Sequence, residues 1–168
     1  WNNLPIANVS QIEVMKGASS ALFGYSALNR VIHFRTAYPT SKPATNITMF
    51  SGFYDTPPRA SLKWWPNANP MFSGINFGHT RQVKQWDLVF GGHIFNDDGY
   101  RYLETEQRMR FNINTRYRFK KVDGLTAGIN ANLMRTQGGL FILWENDSLA
   151  YVPLDSAIQN YKNYRYNI

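Results

Sequence analysis

The 168-residue chain contains no cysteine, so it carries neither a disulfide framework nor a thiolate metal or redox site. It also lacks any long apolar run. Mean hydropathy is −0.41, and no apolar stretch approaches the roughly 20 residues that a membrane-crossing helix needs. A helical membrane protein is thereby excluded. Nothing at the start reads as a charged leader followed by an apolar core, so no signal peptide is visible, and Tyr161 to Ile168 has the pattern of an opening strand. Both ends are read as truncated. Catalytic groupings are missing as well: there is no Ser, His and Asp constellation and no phosphate-cradling glycine loop, which leaves enzyme function without support. His33, His79 and His93 are widely separated and have no ligand-like spacing to a carboxylate cluster, so neither a metal nor another cofactor is expected. Acidic residues are scarce, with eleven Asp and Glu against eighteen Lys and Arg, a formal charge of +7. Such an excess ordinarily directs attention to nucleic acid or an anionic surface.

What the chain has in quantity is aromatic residues: ten Tyr, eleven Phe and five Trp. Its texture changes at Tyr38 to Pro43, where two prolines interrupt regular structure. A boundary there divides residues 1–37 from a linker over 38–45 and a second region over 46–168. In the first region, Gln11 to Met15 and Val31 to Thr36 alternate as short strands. Between them the small-residue segment Gly17 to Gly24 suits a short helix with Gly24 near its C-cap. The expectation is a strand, helix, strand unit joined by a right-handed crossover.

After the boundary the period is two. From Arg108 to Lys120 the even positions are Arg108, Arg110, Asn112, Asn114, Arg116, Arg118 and Lys120, and the odd ones are Met109, Phe111, Ile113, Thr115, Tyr117 and Phe119. One face is wholly polar and the other almost wholly apolar, an alternation that fits a strand between lipid and a watery lumen. Leu125 to Leu133 repeats the design, with Gly128, Asn130 and Asn132 on the wet side. Thr45 to Tyr54, Trp86 to Asn96 and Ser73 to Arg81 are further strand candidates. Arg81 to Gln85 and Lys121 to Gly124 read as tight turns, the latter with an Asp-Gly pair suited to positive φ. Residues 55–72, 96–104 and those from Gln137 onward read as longer loops. This alternation of short and long connections fits a barrel wall with short periplasmic turns and long extracellular loops. Tyr54, Trp86, Tyr117 and Phe119 fall near strand ends, at the heights of an aromatic belt.

The order Gln11-Ile12-Glu13-Val14-Met15-Lys16-Gly17, then Ser20-Ala21-Leu22-Phe23-Gly24, then Ala27-Leu28-Asn29-Arg30-Val31-Ile32 resembles the end of the plug domain of TonB-dependent outer-membrane receptors. Later segments, among them Leu62-Lys63-Trp64-Trp65, Glu106-Gln107-Arg108 and Asn114 to Lys121, look like receptors of Bacteroidota in particular. The resemblance implies a mainly β chain: the C-terminal part of an α+β plug followed by the first strands of a 22-stranded antiparallel transmembrane barrel. It implies an outer membrane of a Gram-negative bacterium, surrounding lipid, and import of a scarce siderophore, vitamin or glycan. The TonB complex would act through an N-terminal segment outside this chain, and a surface lipoprotein lid is a further partner that such glycan importers have. Glu13, Lys16, Gly17, Gly24 and Asn29 match the plug motif. Two positions depart from it: Arg30 stands where the family usually has Gly, and His33 where it usually has Asn. If that Gly position needs positive φ, Arg30 is strained by roughly 1 kcal/mol.

Several residues admit two readings. Glu13 and Lys16 either take part in plug movement or form an ion pair that fixes the plug. The ladder Arg108, Arg110, Arg116 and Arg118, expected to face the lumen, either draws in an anionic substrate or holds acidic plug residues. Trp64, Trp65 and Phe72 either form a ligand-stacking surface in the first long loop or fold inward on themselves. The rival class is a soluble or surface β-sandwich that binds polysaccharide or nucleic acid. Nucleic acid is disfavoured because the aromatics lie on the face opposite the arginine ladder.

Overall fold

The computed structural model describes residues 9–16, 30–36, 38–39 and 42–168. The chain is mainly β, with two antiparallel sheets and, among the described residues, no α-helix. Strands β1 (Val9–Lys16) and β2 (Arg30–Thr36) form the smaller sheet. The larger one is a six-stranded meander in sequence order. Its strands are β3 (Ala44–Phe53), β4 (Met71–Val83), β5 (Trp86–Asp97), β6 (Glu106–Arg118), β7 (Thr126–Leu140) and β8 (Gln159–Asn167).

The expected parallel crossover between the first two strands is not what forms. β1 and β2 run antiparallel, with Val14 opposite Ile32 and Lys16 opposite Arg30. Side-chain chemistry favours this pairing: Glu13 lies opposite His33 and meets its Nδ1 at 3.2 Å and the Arg35 Nε at 3.1 Å. An antiparallel pair needs no crossover helix. The expected helix with Gly24 at its cap lies outside the described residues.

In the larger sheet the period-two segments become strands close to where the alternation places them. Two extend further. β4 begins at Met71, and β7 runs on to Leu140 because Gly138 and Gly139 remain in the ladder opposite Glu106 and Asn160. A Cβ on Gly138 would lie 2.0 Å from the Thr105 carbonyl oxygen, so the close approach requires glycine there. The turn between β4 and β5 is only Lys84 and Gln85, with Lys84 at φ 54°. Gly124 in the other tight connection takes φ 75°, as the Asp-Gly pair suggests.

Because register partners share a face, the pairing sorts every strand residue. On one face Ser51, Ser73, Asn96, Gln107, Gln137 and Lys162 stand opposite one another across all six strands. The next rung toward the short turns is Met49, Ile75, Ile94, Met109, Arg135 and Tyr164, and the one after it Ile47, Phe77, Gly92, Phe111, Leu133 and Tyr166. Val83, Trp86, Tyr117 and Ala127 close this face at the turn end, where the Trp86 and Tyr117 rings lie 4.9 Å apart. The opposite face carries the arginine ladder, Asp87, His93 and Asp97.

Exposure inverts the usual order for a soluble protein. Met49 is 73 % exposed and Ile129 62 %, whereas Arg108, Arg110 and Asn114 are each 7 % exposed and Asp87 1 %. The apolar face is open, whereas the polar face is shielded along β5 and β6 by its own long side chains and exposed on β3 and at the turn end of β7.

Glycine positions test the packing. A Cβ at Gly128 would sit 2.1 Å from the Thr115 carbonyl oxygen, whereas at Gly92 the nearest atom is the Phe111 ring at 3.5 Å. Gly128→Ala is expected to destabilise the folded protein by about 2 kcal/mol through overpacking, and Gly92→Ala by less than about 0.5 kcal/mol. Urea midpoints of the two refolded variants check this, and equal midpoints would contradict the close approach of β6 and β7.

Candidate functional site: the shielded polar face and its loop cap

The four ladder arginines project from β6 onto the shielded face, as their even spacing requires. Asp87 of β5 is the register partner of Arg116. Its Oδ2 accepts from Arg116 Nε at 2.9 Å and Nη2 at 2.6 Å, and its Oδ1 from Arg118 Nη2 at 2.8 Å. A carboxylate cut off from water is thus held by three charge-assisted hydrogen bonds. Arg116 also stacks under the Tyr38 ring, its Cζ 3.6 Å from the centroid. The linker leaving the small sheet therefore touches this face. Further along β6, Arg108 pairs with Glu106, through Nε at 3.0 Å and through Nη2, and lies 5.4 Å from the Phe95 centroid. Part of the ladder is therefore answered by carboxylates of the sheet itself, Asp87 and Glu106.

Toward the long loops this face becomes aromatic. The Phe50 ring lies over Gly74 and the Phe72 ring over Gly52, where a Cβ would fall 2.4 Å and 2.3 Å from the respective ring atoms. Phe50 stacks against Phe95 with centroids 6.1 Å apart, and Phe72 packs on Tyr54 at 5.5 Å. The glycines thus leave room for rings from the neighbouring strand to lie flat across the sheet. His93 Nδ1 shares a hydrogen bond of 2.7 Å with Asn76 Oδ1.

Three loops, 54–70, 98–105 and 141–158, cap this end. They bind one another through main chain and rings. Tyr102 N donates to Tyr151 O at 2.8 Å, the Tyr151 hydroxyl to that of Tyr100 at 2.9 Å, and Trp64 Nε1 to Tyr100 O at 3.0 Å. Arg101 pairs with Glu104 and donates to Phe141 O while lying 4.3 Å from the Phe141 centroid. Trp65 is 4 % exposed and its indole N–H donates to Asn69 Oδ1 at 3.1 Å. Of Trp64, Trp65 and Phe72, both indoles are in hydrogen bonds within the cap, and Phe72, expected in the loop, stands in β4 on the shielded face.

Tyr54 joins the cap to the sheet. Its hydroxyl is 3.0 Å and 2.9 Å from the two Asp97 carboxylate oxygens. Burial, and then the hydrogen bond to that carboxylate, push its pKa up from 10 to about 12.

Of the plug-motif residues, Glu13 pairs with Arg35 and His33 across the small sheet, and not with Lys16, which is exposed at the end of β1. Gly17, Gly24 and Asn29 lie outside the described residues. The histidines are apart: His33 on Glu13, His79 2.8 Å from Thr45 Oγ1 on the open face, His93 on Asn76. Sequence reasoning missed Asp87 and Tyr38. Asp87 sits on the Arg side only once β5 and β6 are in register, and the loop 98–105 between them leaves that register open.

Comparison with protein-family models, with curated proteins and with solved structures finds no match to this chain.

Two outcomes follow from this geometry. Asp87→Asn leaves Arg116 and Arg118 without their carboxylate and is expected to cost about 3 kcal/mol, read as a lowered urea midpoint; Glu106→Gln, which removes a more exposed carboxylate with a single arginine partner, should cost less. For Tyr54, the folded-state pKa lies above the unfolded one, so the folded state holds the proton more tightly. Its contribution is complete below pH 10 and is lost as pH rises toward 12. Protease nicking of the 55–70 loop should therefore increase over that window, and Tyr54→Phe should blunt the increase. An unchanged pH profile in the variant would remove Tyr54 from the attachment of the cap.

Proposed function

We propose that the chain is a segment of a TonB-dependent outer-membrane receptor, in which residues 1–37 end the plug and residues 46–168 begin the barrel wall. The observation that carries this reading is the inverted sheet: apolar side chains stand open on one face while arginines and a carboxylate are shielded on the other. Lipid against the open face and a watery lumen behind the shielded face satisfy both, because lipid accepts the apolar residues and the lumen accommodates polar ones.

The dimensions support it. Trp86 at the turn end and Asn96 in the polar rung are ten residues apart in β5, about 33 Å of strand at about 3.3 Å per residue. Tilted by about 40°, that length spans about 25 Å, the height of the apolar band of such barrels. Trp86 and Tyr117 would mark the periplasmic interface, and the cap of long loops would face the outside. The motif resemblance at Glu13 to Ile32 supports the plug assignment independently. On this reading the parent protein imports a scarce siderophore, vitamin or glycan, driven by the TonB complex, and a surface lipoprotein lid is a further partner for a glycan cargo.

Fractionation of the source cells with an antibody to the 55–72 loop tests the assignment. The full-length parent is expected in the outer-membrane fraction as a heat-modifiable protein, with intact cells labelled. A soluble, monomeric parent would sink the receptor reading and return the β-sandwich binding module to first place.

A further inference from the structure

The open face has a charge pattern that its apolar character conceals. Among the described strand residues on it there is no carboxylate, and its arginines and lysine stand at the margins: Arg81 toward the short turns, Arg135 and Lys162 toward the long loops. Neither Arg135 nor Lys162 takes part in an ion pair among the described residues. Both approach one ring, with Arg135 Cζ 6.0 Å and Lys162 Nζ 5.6 Å from the Tyr164 centroid. Amides line the same rung: Arg135 Nη2 donates to Gln137 Oε1 at 2.7 Å, and Gln137 Nε2 to Gln107 Oε1 at 2.6 Å.

Each cation borders a hollow. On the loop side, Gln107, Gln137 and Lys162 border a polar one of about 380 Å³. On the turn side, Met109, Phe111, Leu133 and Tyr166 border an apolar one of about 280 Å³ that also reaches Arg135. The surface therefore changes within one rung from apolar to cationic to amide-bearing.

We propose that this is a binding site for a phosphate-bearing lipid of the outward-facing leaflet. Arg135 and Lys162 hold the phosphate, Gln107 and Gln137 meet headgroup oxygens, and an acyl chain lies along Met109, Phe111 and Leu133. The inference rests on the reading that this face meets lipid. The arrangement selects an amphiphile over a soluble anion: exposed cations alone are screened by salt, whereas a chain in the hollow beneath holds the phosphate at the rim. It also selects an anionic headgroup over a zwitterionic one, because no carboxylate on this face balances a headgroup cation.

The test uses the full-length protein that contains this chain, reconstituted in phosphatidylcholine vesicles doped with phosphatidic acid, with retained lipid counted by native mass spectrometry. Wild type is expected to retain phosphatidic acid in preference to phosphatidylcholine, and to keep it when inorganic phosphate is added. Arg135→Gln with Lys162→Gln should lower that retention about tenfold, while Arg81→Gln at the opposite margin leaves it unchanged. A wild-type protein that inserts but shows no preference, or a double variant equal to wild type, overturns the site and leaves the membrane reading standing. Displacement by inorganic phosphate overturns it too, since the acyl chain would then contribute nothing. Failure to insert overturns the site together with the reading on which it rests.

Discussion

A one-residue slip of β6 against β5 would carry Arg108, Arg110, Arg116 and Arg118 to the side of Phe90 and Ile94 and leave Asp87 facing apolar side chains. Register in this sheet is therefore set by charge as much as by shape. The bonds from Arg116 and Arg118 to Asp87 lock it in one place, and the ladder propagates it strand by strand in both directions. Everything placed by face, from the polar rung to the aromatic turn end, inherits its position from that lock. Tyr38 stacks on one of the same guanidinium groups, so the linker is referred to the same point.

The separation of faces was legible in the sequence because side chains alternate strictly in a strand. Arg108 to Arg118 announces its two faces with no knowledge of its neighbours, and the Asp123-Gly124 pair announces the turn that follows. Other features depend on information that alternation does not hold. Strands β1 and β2 are alternating segments that carry no mark of relative direction; only the meeting of Glu13 with His33 and Arg35 makes the antiparallel choice visible. Gly138 and Gly139 fall in the stretch read as a long loop, yet they stay in the ladder, where neighbouring carbonyls come too close for any side chain. The partner of the arginines was hidden for a related reason: Asp87 is one acid among eleven, and only three-dimensional register distinguishes it. Trp65, in a loop without periodicity, gave no sign of whether its indole would turn outward or toward Asn69.

The cap and the sheet use their aromatic residues differently. On the sheet, Phe50 and Phe72 lie flat across glycines of adjacent strands, so the rings restore contact that the glycines forgo. In the cap, Tyr100, Tyr102, Tyr151 and Trp64 each bring a ring and a polar group, and the loops bind one another through both. Tyr54 belongs to each set, packed on Phe72 and bonded to Asp97. It couples the order of the loops to the end of the sheet.

The sequence-ordered meander bears on how such a sheet can assemble. Every strand of the larger sheet pairs only with its neighbours in the chain, so each new ladder closes only the connection before it, from the two residues 84–85 to the eighteen of 141–158, a range over which closure entropy grows slowly. Hairpins can therefore be added one at a time, each templated by the last. The free edges are different in kind. Among the described residues the far sides of β3 and β8 are the two edges of this sheet, and each presents a row of backbone N–H and C=O groups to whatever strand lies beside it. Growth along the meander is local, whereas an edge left uncovered is where a second chain would attach.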